Sequence, residues 1–333
     1  MTKKKIIILG VVALAVIIIG YALYSKHSKD VPVNIIGSEQ KIKLQDIKMF
    51  FKGFPAQTIN EDPRKYFSEE IINVYTVRFF KFIETQIEFT NREQHLKAVK
   101  AYLNTVLDPQ RADEMFVLYE KFLDYDISLQ EKTKSWGQPK TAEELLKYLQ
   151  VIQDYRREVF GAEIADAMWG AEVKFNEYII RKNSIKLDQN MYGAEKEKKI
   201  AALKEDMWGT KAASIEDPPQ TDPEKFSSYQ EKQAIYQKDL QELPEDQRME
   251  KIKEFRKDYF SSEQIARLEQ VDKELASDKK KESDYYAQEK EIINNPAIAD
   301  DKKAELIREL QNDTFGEEAE AFRRRLNIEK SIK

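Results

Sequence analysis

The chain has 333 residues, 41% apolar and 35% charged, with a net charge of −5 and no cysteine. An average globular domain is about 25% charged; with glycine and proline at only ten each, the balance favours helix over strand and turn. Disulfide staples, thiolate catalysis and cysteine metal sites are excluded, and two histidines, His27 and His95, are too few for a histidine triad or a two-histidine zinc site to assemble easily.

Lys3, Lys4 and Lys5 lead into Ile6–Tyr24, nineteen residues without a charged side chain. At about 1.5 Å of rise per residue this run spans roughly 28 Å, close to the hydrocarbon thickness of a bilayer. It predicts a single transmembrane helix over 6–24, with residues 1–5 cytoplasmic because the basic excess lies ahead of it. A cleaved signal peptide would need an apolar region of about 7–15 residues and small residues at its cleavage site. Leu23 and Tyr24 are too bulky for that, and without cysteine no lipid-modified cysteine can follow. The rest of the chain is then exported.

Residues 25–40 are polar, contain Pro32 and Gly37, and read as a tether with an r.m.s. reach of about 20–25 Å. Without residues 1–30 the chain keeps 50 basic and 59 acidic residues, a surface unsuited to nucleic acid. Phe50, Phe51 and Phe54 precede a turn-rich run, Gly53 to Pro63. Apolar residues from Tyr66 to Ile87 fall at three- and four-residue spacing and predict one or two amphipathic helices. Leu96–Val106 predicts another. Asp108-Pro109 caps and opens the next, which carries Met115, Leu118, Tyr119, Phe122 and Tyr125. These helices predict a first small domain over 41–130, its last helix ending near Ser128.

Lys132–Thr141 reads as a linker. Leu145, Tyr148, Leu149, Ile152, Tyr155 and Val159 then trace one stripe of a long helix, and Val173, Tyr178 and Ile179 belong to another. Asp217–Pro223 and Leu243-Pro244 are breakers, and Asn294-Asn295-Pro296 divides two further long helices. These breaks mark off the stretches 131–245 and 246–333.

Two repeats stand out. Arg156-Arg157-Glu158-Val159-Phe160-Gly161-Ala162-Glu163 is matched by Arg256-Lys257-Asp258-Tyr259-Phe260-Ser261-Ser262-Glu263, and Phe315-Gly316-Glu317-Glu318 repeats its second half. The second copy has a helix-start signature: Ser261 as cap, Gln264 at the capping-box position, Phe260 and Ile265 as a hydrophobic staple. Asp188–Leu203 and Asn295–Leu310 also look alike, each a polar turn, an apolar residue (Met191, Ile298) and a helix.

In order and pattern the chain resembles the lipase-specific foldases, membrane-anchored steric chaperones of Gram-negative secreted lipases. The resemblance rests on Phe160-Gly161-Ala162-Glu163 leading into Ala167-Met168-Trp169-Gly170-Ala171-Glu172, on Ile185-Lys186-Leu187-Asp188, and on Phe260-Ser261-Ser262-Glu263 leading into Ala266-Arg267-Leu268-Glu269. It implies an all-α protein, two small helical domains joined by an extended helical arm that wraps a client. It also implies a single-pass protein of the inner membrane with its bulk in the periplasm, assisting one secreted lipase or related hydrolase, expected 1:1, before type II secretion. No enzymatic activity, cofactor, metal, nucleic acid or small-molecule substrate is expected.

The family's signature in its first domain is an arginine, two variable residues, then Phe-Asp-Tyr, an aromatic or cysteine, and Leu-Ser-Ala. In register, Phe80, Lys81, Phe82, Ile83, Glu84, Thr85 and Gln86 take these places from the phenylalanine on, with Val77 at the arginine position and Arg78 one place later. Lys81 reverses the aspartate's charge and Glu84 replaces leucine, which marks either a changed client or lost activation. The resemblance implies partner contacts at Arg78, Phe80, Lys81, Phe82, Ile83 and Thr85, although Phe80 and Ile83 also suit a helix core. The other reading of the chain is a helical periplasmic scaffold, or an inhibitor-type binder of an already folded partner.

Overall fold

The structure, a computed structural model, describes residues 43–51, 62–87, 91–216 and 218–332. Every regular element among them is helical. None of these helices is long and apolar enough to cross a membrane. The run Ile6–Tyr24, the tether and most of Gly53–Pro63 lie outside the described residues.

The chain divides into two compact units, Met1–Arg248 and Met249–Lys333. In the first, α1 (Leu44–Phe51), α2 (Arg64–Phe67), α3 (Thr76–Gln86), α4 (Arg92–Val106), α5 (Pro109–Ser135), α6 (Ala142–Phe160) and α7 (Ala162–Leu187) are followed by α8 (Gly193–Trp208), a 3-10 turn (Gly209–Ser214), α9 (Asp222–Ile235) and α10 (Gln237–Glu242). Local chemistry starts these helices where sequence places them. Asn91, Asp108 and Thr141 accept hydrogen bonds from the backbone N–H three residues on, and Thr221 with Glu224 forms a full capping box.

Of the one or two helices expected over Tyr66–Ile87 there are two, parted after the single turn of α2; one other boundary, at the end of α5, differs from expectation. The Asn73 side chain donates to the carbonyls of Tyr66 and Glu70 and accepts from the Tyr75 N–H, holding 68–75 out of helix. At the other end, α5 runs beyond Ser128 to Ser135 because α6 holds its last turns. Ser128 meets the Tyr155 hydroxyl at 2.5 Å and Lys132 lies over the Tyr155 ring. One hydrophobic core runs from Phe67 to Ile180 through α3, α4, α5, α6 and α7, so it crosses position 130 without a break.

The second unit completes α11 (Glu245–Lys257), whose first four residues belong to the first unit. It also holds α12 (Ser262–Asn294), α13 (Asp300–Phe315), a short 3-10 turn (Gly316–Glu318) and α14 (Ala319–Ile332). Its core is an aromatic cluster of Tyr285, Phe315 and Phe322, with Phe315 and Phe322 stacked at 3.9 Å. The expected capping box is present at Ser261 and Gln264.

The two sequence repeats belong to one larger duplication, from α6 through α8 and again from α11 through α13. At the first corner Arg156 reaches Glu172 at 3.3 Å, and 100 positions on Arg256 reaches Asp272 at 2.6 Å; both arginines are buried and both pairs are sixteen residues apart. At the far end the offset is 107. Asp188 and Asn295 each accept from the N–H two residues on, closing matching Asx turns. α8 and α13 are both 16 residues long, and both end on a left-handed glycine, Gly209 at φ 54° and Gly316 at φ 55°. Fully buried Tyr178 sets its ring edge-on to Trp208, as Tyr285 does to Phe315. The change of offset is accounted for by α12, which has 33 residues against 26 in α7. Seven residues add two turns with a drift of only about 20°, so the faces of the longer helix stay in register.

This corrects the sequence reading of Phe315-Gly316. It pairs with Trp208-Gly209 and not with the Phe160-Gly161 corner, whose glycine adopts φ 84°, ψ 151° where Gly316 adopts φ 55°, ψ −125°.

Candidate functional site

Helix α3 carries all six residues expected to meet a partner, and its three faces treat them differently. Phe79, Phe80 and Ile83 face inward. The Phe80 ring sits 5.2 Å from Tyr119 and 5.1 Å from Phe122, and neither Phe80 nor Ile83 has any exposed surface. These two are core residues in this conformation, because the hydrophobic side of an eleven-residue amphipathic helix must be covered by α5 for the helix to persist.

A second face turns toward α5 and is ionic. Lys81 Nζ lies 2.9 Å from Asp126 and 3.1 Å from Glu84, and 5.0 Å from the centre of the Phe122 ring. Burial opposes the charge on Lys81, but the two carboxylates outweigh it and raise its pKa. Burial likewise raises the Glu84 carboxyl, with Lys81 pulling the other way. Lys81 and Glu84, the two positions expected to depart from the signature, are therefore partners.

The third face holds Arg78, Phe82 and Thr85, spaced i, i+4, i+7. Arg78 and Phe82 are half-buried and Thr85 is exposed, its hydroxyl donating to the Phe82 carbonyl. Burial lowers the Arg78 guanidinium to about 10, against the raising effect of Glu172 and Tyr75. Glu172 also receives Arg156, which donates to the Tyr125 hydroxyl at 3.0 Å and stacks over Trp169. The expected contact residues thus connect to the α6–α7 corner through Asp126, Tyr125 and Glu172. Sequence reasoning missed these because no local spacing links residue 81 to residue 126, or 156 to 125.

Nothing in this arrangement has catalytic geometry. His95 Nε2 meets the Tyr119 hydroxyl at 2.7 Å deep in the core, where burial lowers its pKa. Among the described residues no group of histidines and carboxylates could hold a metal ion. Outward, α3 carries a ring, a hydroxyl and a cation on one face, beside the partly buried ion pairs of Lys81.

Residues 118–320 match the family described as proteobacterial lipase chaperone protein. The chain belongs to this family. The matched span takes in both copies of the duplicated helices and most of α5, and it begins after α3, so the six expected contact residues lie ahead of it. A comparison with solved structures finds no match. The family is a chaperone family and not a catalytic one.

Proposed function

We propose that this lipase chaperone is anchored in the inner membrane by residues 6–24, and that its periplasmic part binds one secreted lipase and helps it reach its active fold before type II secretion. The reading is carried by the family match over 118–320, together with the apolar run at the amino terminus. The chain itself catalyses no reaction. Assistance draws on binding energy: a chaperone that holds the client's folding transition state more tightly than its intermediate lowers the barrier between them. The third face of α3, with Arg78, Phe82 and Thr85, is one contact in this reading, and Lys81 with Glu84 tunes it to a particular lipase. The division into a first domain (41–130), an arm (131–245) and a second domain (246–333) is part of the same proposal.

The test is to refold a urea-unfolded secreted lipase with and without residues 31–333, and to read the yield of active enzyme. A severalfold rise is expected when the chaperone is present from the start, and none when it is added after folding has failed to completion or has finished. An unchanged yield with every lipase tried would sink the proposal. Equal binding to lipase that is already folded, without a gain in yield, would favour a scaffold instead.

A further inference from the structure

Helix α3 has eleven residues and starts on Tyr75 without a side-chain cap, so its place in the fold is set by what packs against it. The inward rings fix its depth, with Phe80 seated between Tyr119 and Phe122. Apolar contact is non-directional, so these rings fix depth better than rotation. Rotation is held by a directional bond. Lys81 Nζ, from the residue next to outward-facing Phe82, donates to Asp126 Oδ2 of α5 at 2.9 Å, across 45 positions of sequence.

Asp126 is itself held in place. Gln130, one turn on in α5, donates to the same Asp126 oxygen at 3.2 Å. The preceding residue, Tyr125, receives Arg156 from α6 at 3.0 Å. The carboxylate therefore stands on the stretch of α5 that the α6–α7 corner grips, and Lys81 carries that grip over to α3. Lys81 is also fully engaged, with Glu84 at 3.1 Å and the centre of the Phe122 ring at 5.0 Å. Turning its cation toward a client would mean giving up two carboxylates and a ring. The side chains of Lys81, Glu84 and Asp126 are only 34%, 14% and 27% exposed, so water would replace those partners poorly.

We propose that Asp126 is a positioning residue for the Arg78, Phe82 and Thr85 face of α3, holding the helix in one rotation through Lys81. What position 81 supplies to lipase activation is then its ion pair with α5, not a positive charge shown to the client. This rests on the reading of that face as a contact, given above, and takes Lys81 out of the contact itself. Arg78, Phe82 and Thr85 lie on one stripe, so a roll of α3 displaces all three together. A recognition face held about 1 Å too loosely loses function even with every residue present. The sign of the pair is also interchangeable. A cation on α5 facing a carboxylate on α3 holds the helix as well as the present arrangement does, whereas a client bound to the charge of Lys81 would lose its partner on reversal.

The chain has no cysteine, so Thr85→Cys gives a unique attachment point for a nitroxide label. In the full chain in detergent micelles, with no client present, the label is expected to be more mobile in Asp126→Asn than in the parent. Its spectrum should return to the parent's in Asp126→Glu and in the exchanged pair, Lys81→Asp with Asp126→Lys. With Thr85 restored, the same variants are assayed for refolding of a urea-unfolded secreted lipase that the unaltered chain promotes. Asp126→Asn is expected to lower activation about tenfold, the worth of one charged hydrogen bond. Asp126→Glu and the exchanged pair should regain most of it, the latter with the charge at position 81 reversed. Circular dichroism and melting show which variants are folded at the assay temperature; if Asp126→Asn is not, the exchanged pair decides. A folded exchanged pair that activates no lipase shows that the client reads the charge of Lys81 itself and overturns the proposal. Parental activation or parental label mobility in Asp126→Asn overturns it too, and the foldase reading stands in each of these cases. If the unaltered chain promotes refolding of no lipase, the foldase reading falls and the proposal with it, whatever the label shows.

Discussion

Arg156 donates to the hydroxyl of Tyr125 at 3.0 Å, tying the last turn of α6 to the middle of α5 beneath the Phe160 and Trp169 rings. The guanidinium is almost fully buried and its other end meets Glu172. Arg156→Met should destabilise the first unit by about 3 kcal/mol, because a carboxylate and a hydroxyl lose a charged partner in a water-poor corner. Tyr125→Phe should cost about 1 kcal/mol, and the double variant less than the sum. Urea denaturation of the four proteins measures all three figures.

Lys81 stands between Glu84 and Asp126. Restoring the family's aspartate with Lys81→Asp would bring three carboxylates together on a partly buried face, and the expected loss is about 2 kcal/mol, discounted for the exposure that remains. Lys81→Asp with Glu84→Leu should recover most of it. If the single change melts at the same temperature as the parent, the compensation inferred between these two positions is wrong.

His95 is held neutral by burial, its pKa depressed from 6.5. Between the folded and unfolded values the unfolded chain binds more protons, so stability rises with pH in that window. The contribution is complete above about 6.5 and is lost as pH falls through the folded value. In residues 31–333 His95 is the sole histidine. Melting temperature should therefore fall as pH drops below about 6.5, and His95→Gln should flatten that slope; an identical slope in both proteins would assign the acid sensitivity to carboxylates.

Two glycines should resist substitution for different reasons. Gly161 holds φ 84°, ψ 151° with open space around it, so Gly161→Ala costs backbone strain of about 1–3 kcal/mol. Gly193 has no unusual φ, but an added Cβ would stand 2.3 Å from the ring of Tyr236, which is fixed by its hydrogen bond to Glu197. Gly193→Ala should cost about 1–3 kcal/mol by overpacking. Shrinking the ring with Tyr236→Leu should rescue the second variant and leave the first unchanged, as read by thermal melting.

Phe80 and Phe82 separate core from contact. Phe80→Ala should lower stability by about 3–5 kcal/mol, since a fully buried ring is lost. Phe82→Ala, from a half-buried position, should melt closer to the parent and still reduce lipase activation. Circular dichroism beside the refolding assay distinguishes them; if Phe82→Ala activates lipase fully, the outward face of α3 is not a contact.

Much of the helical plan was legible beforehand because its signals are local. Asp108-Pro109 and the Ser261–Gln264 box act within one turn, and the stripes of α5 and α6 repeat every three or four residues. Asn73 was not legible as a helix breaker, since its bonds to Tyr66 and Glu70 exist only once the chain has turned back on itself. The duplication was half visible. Its two matches lay at offsets of 100 and 107, and only the length of α12 joins them.

By itself, then, the sequence determined the all-helical class, most helix starts, the absence of thiol chemistry and the family. These follow from composition and from contacts between near neighbours along the chain. Tertiary structure decided which side of α3 is core and that Glu84 and Asp126 share a partner in Lys81. Those outcomes depend on pairs far apart in sequence, such as Phe80 with Phe122 and Lys81 with Asp126, and no periodicity carries that information.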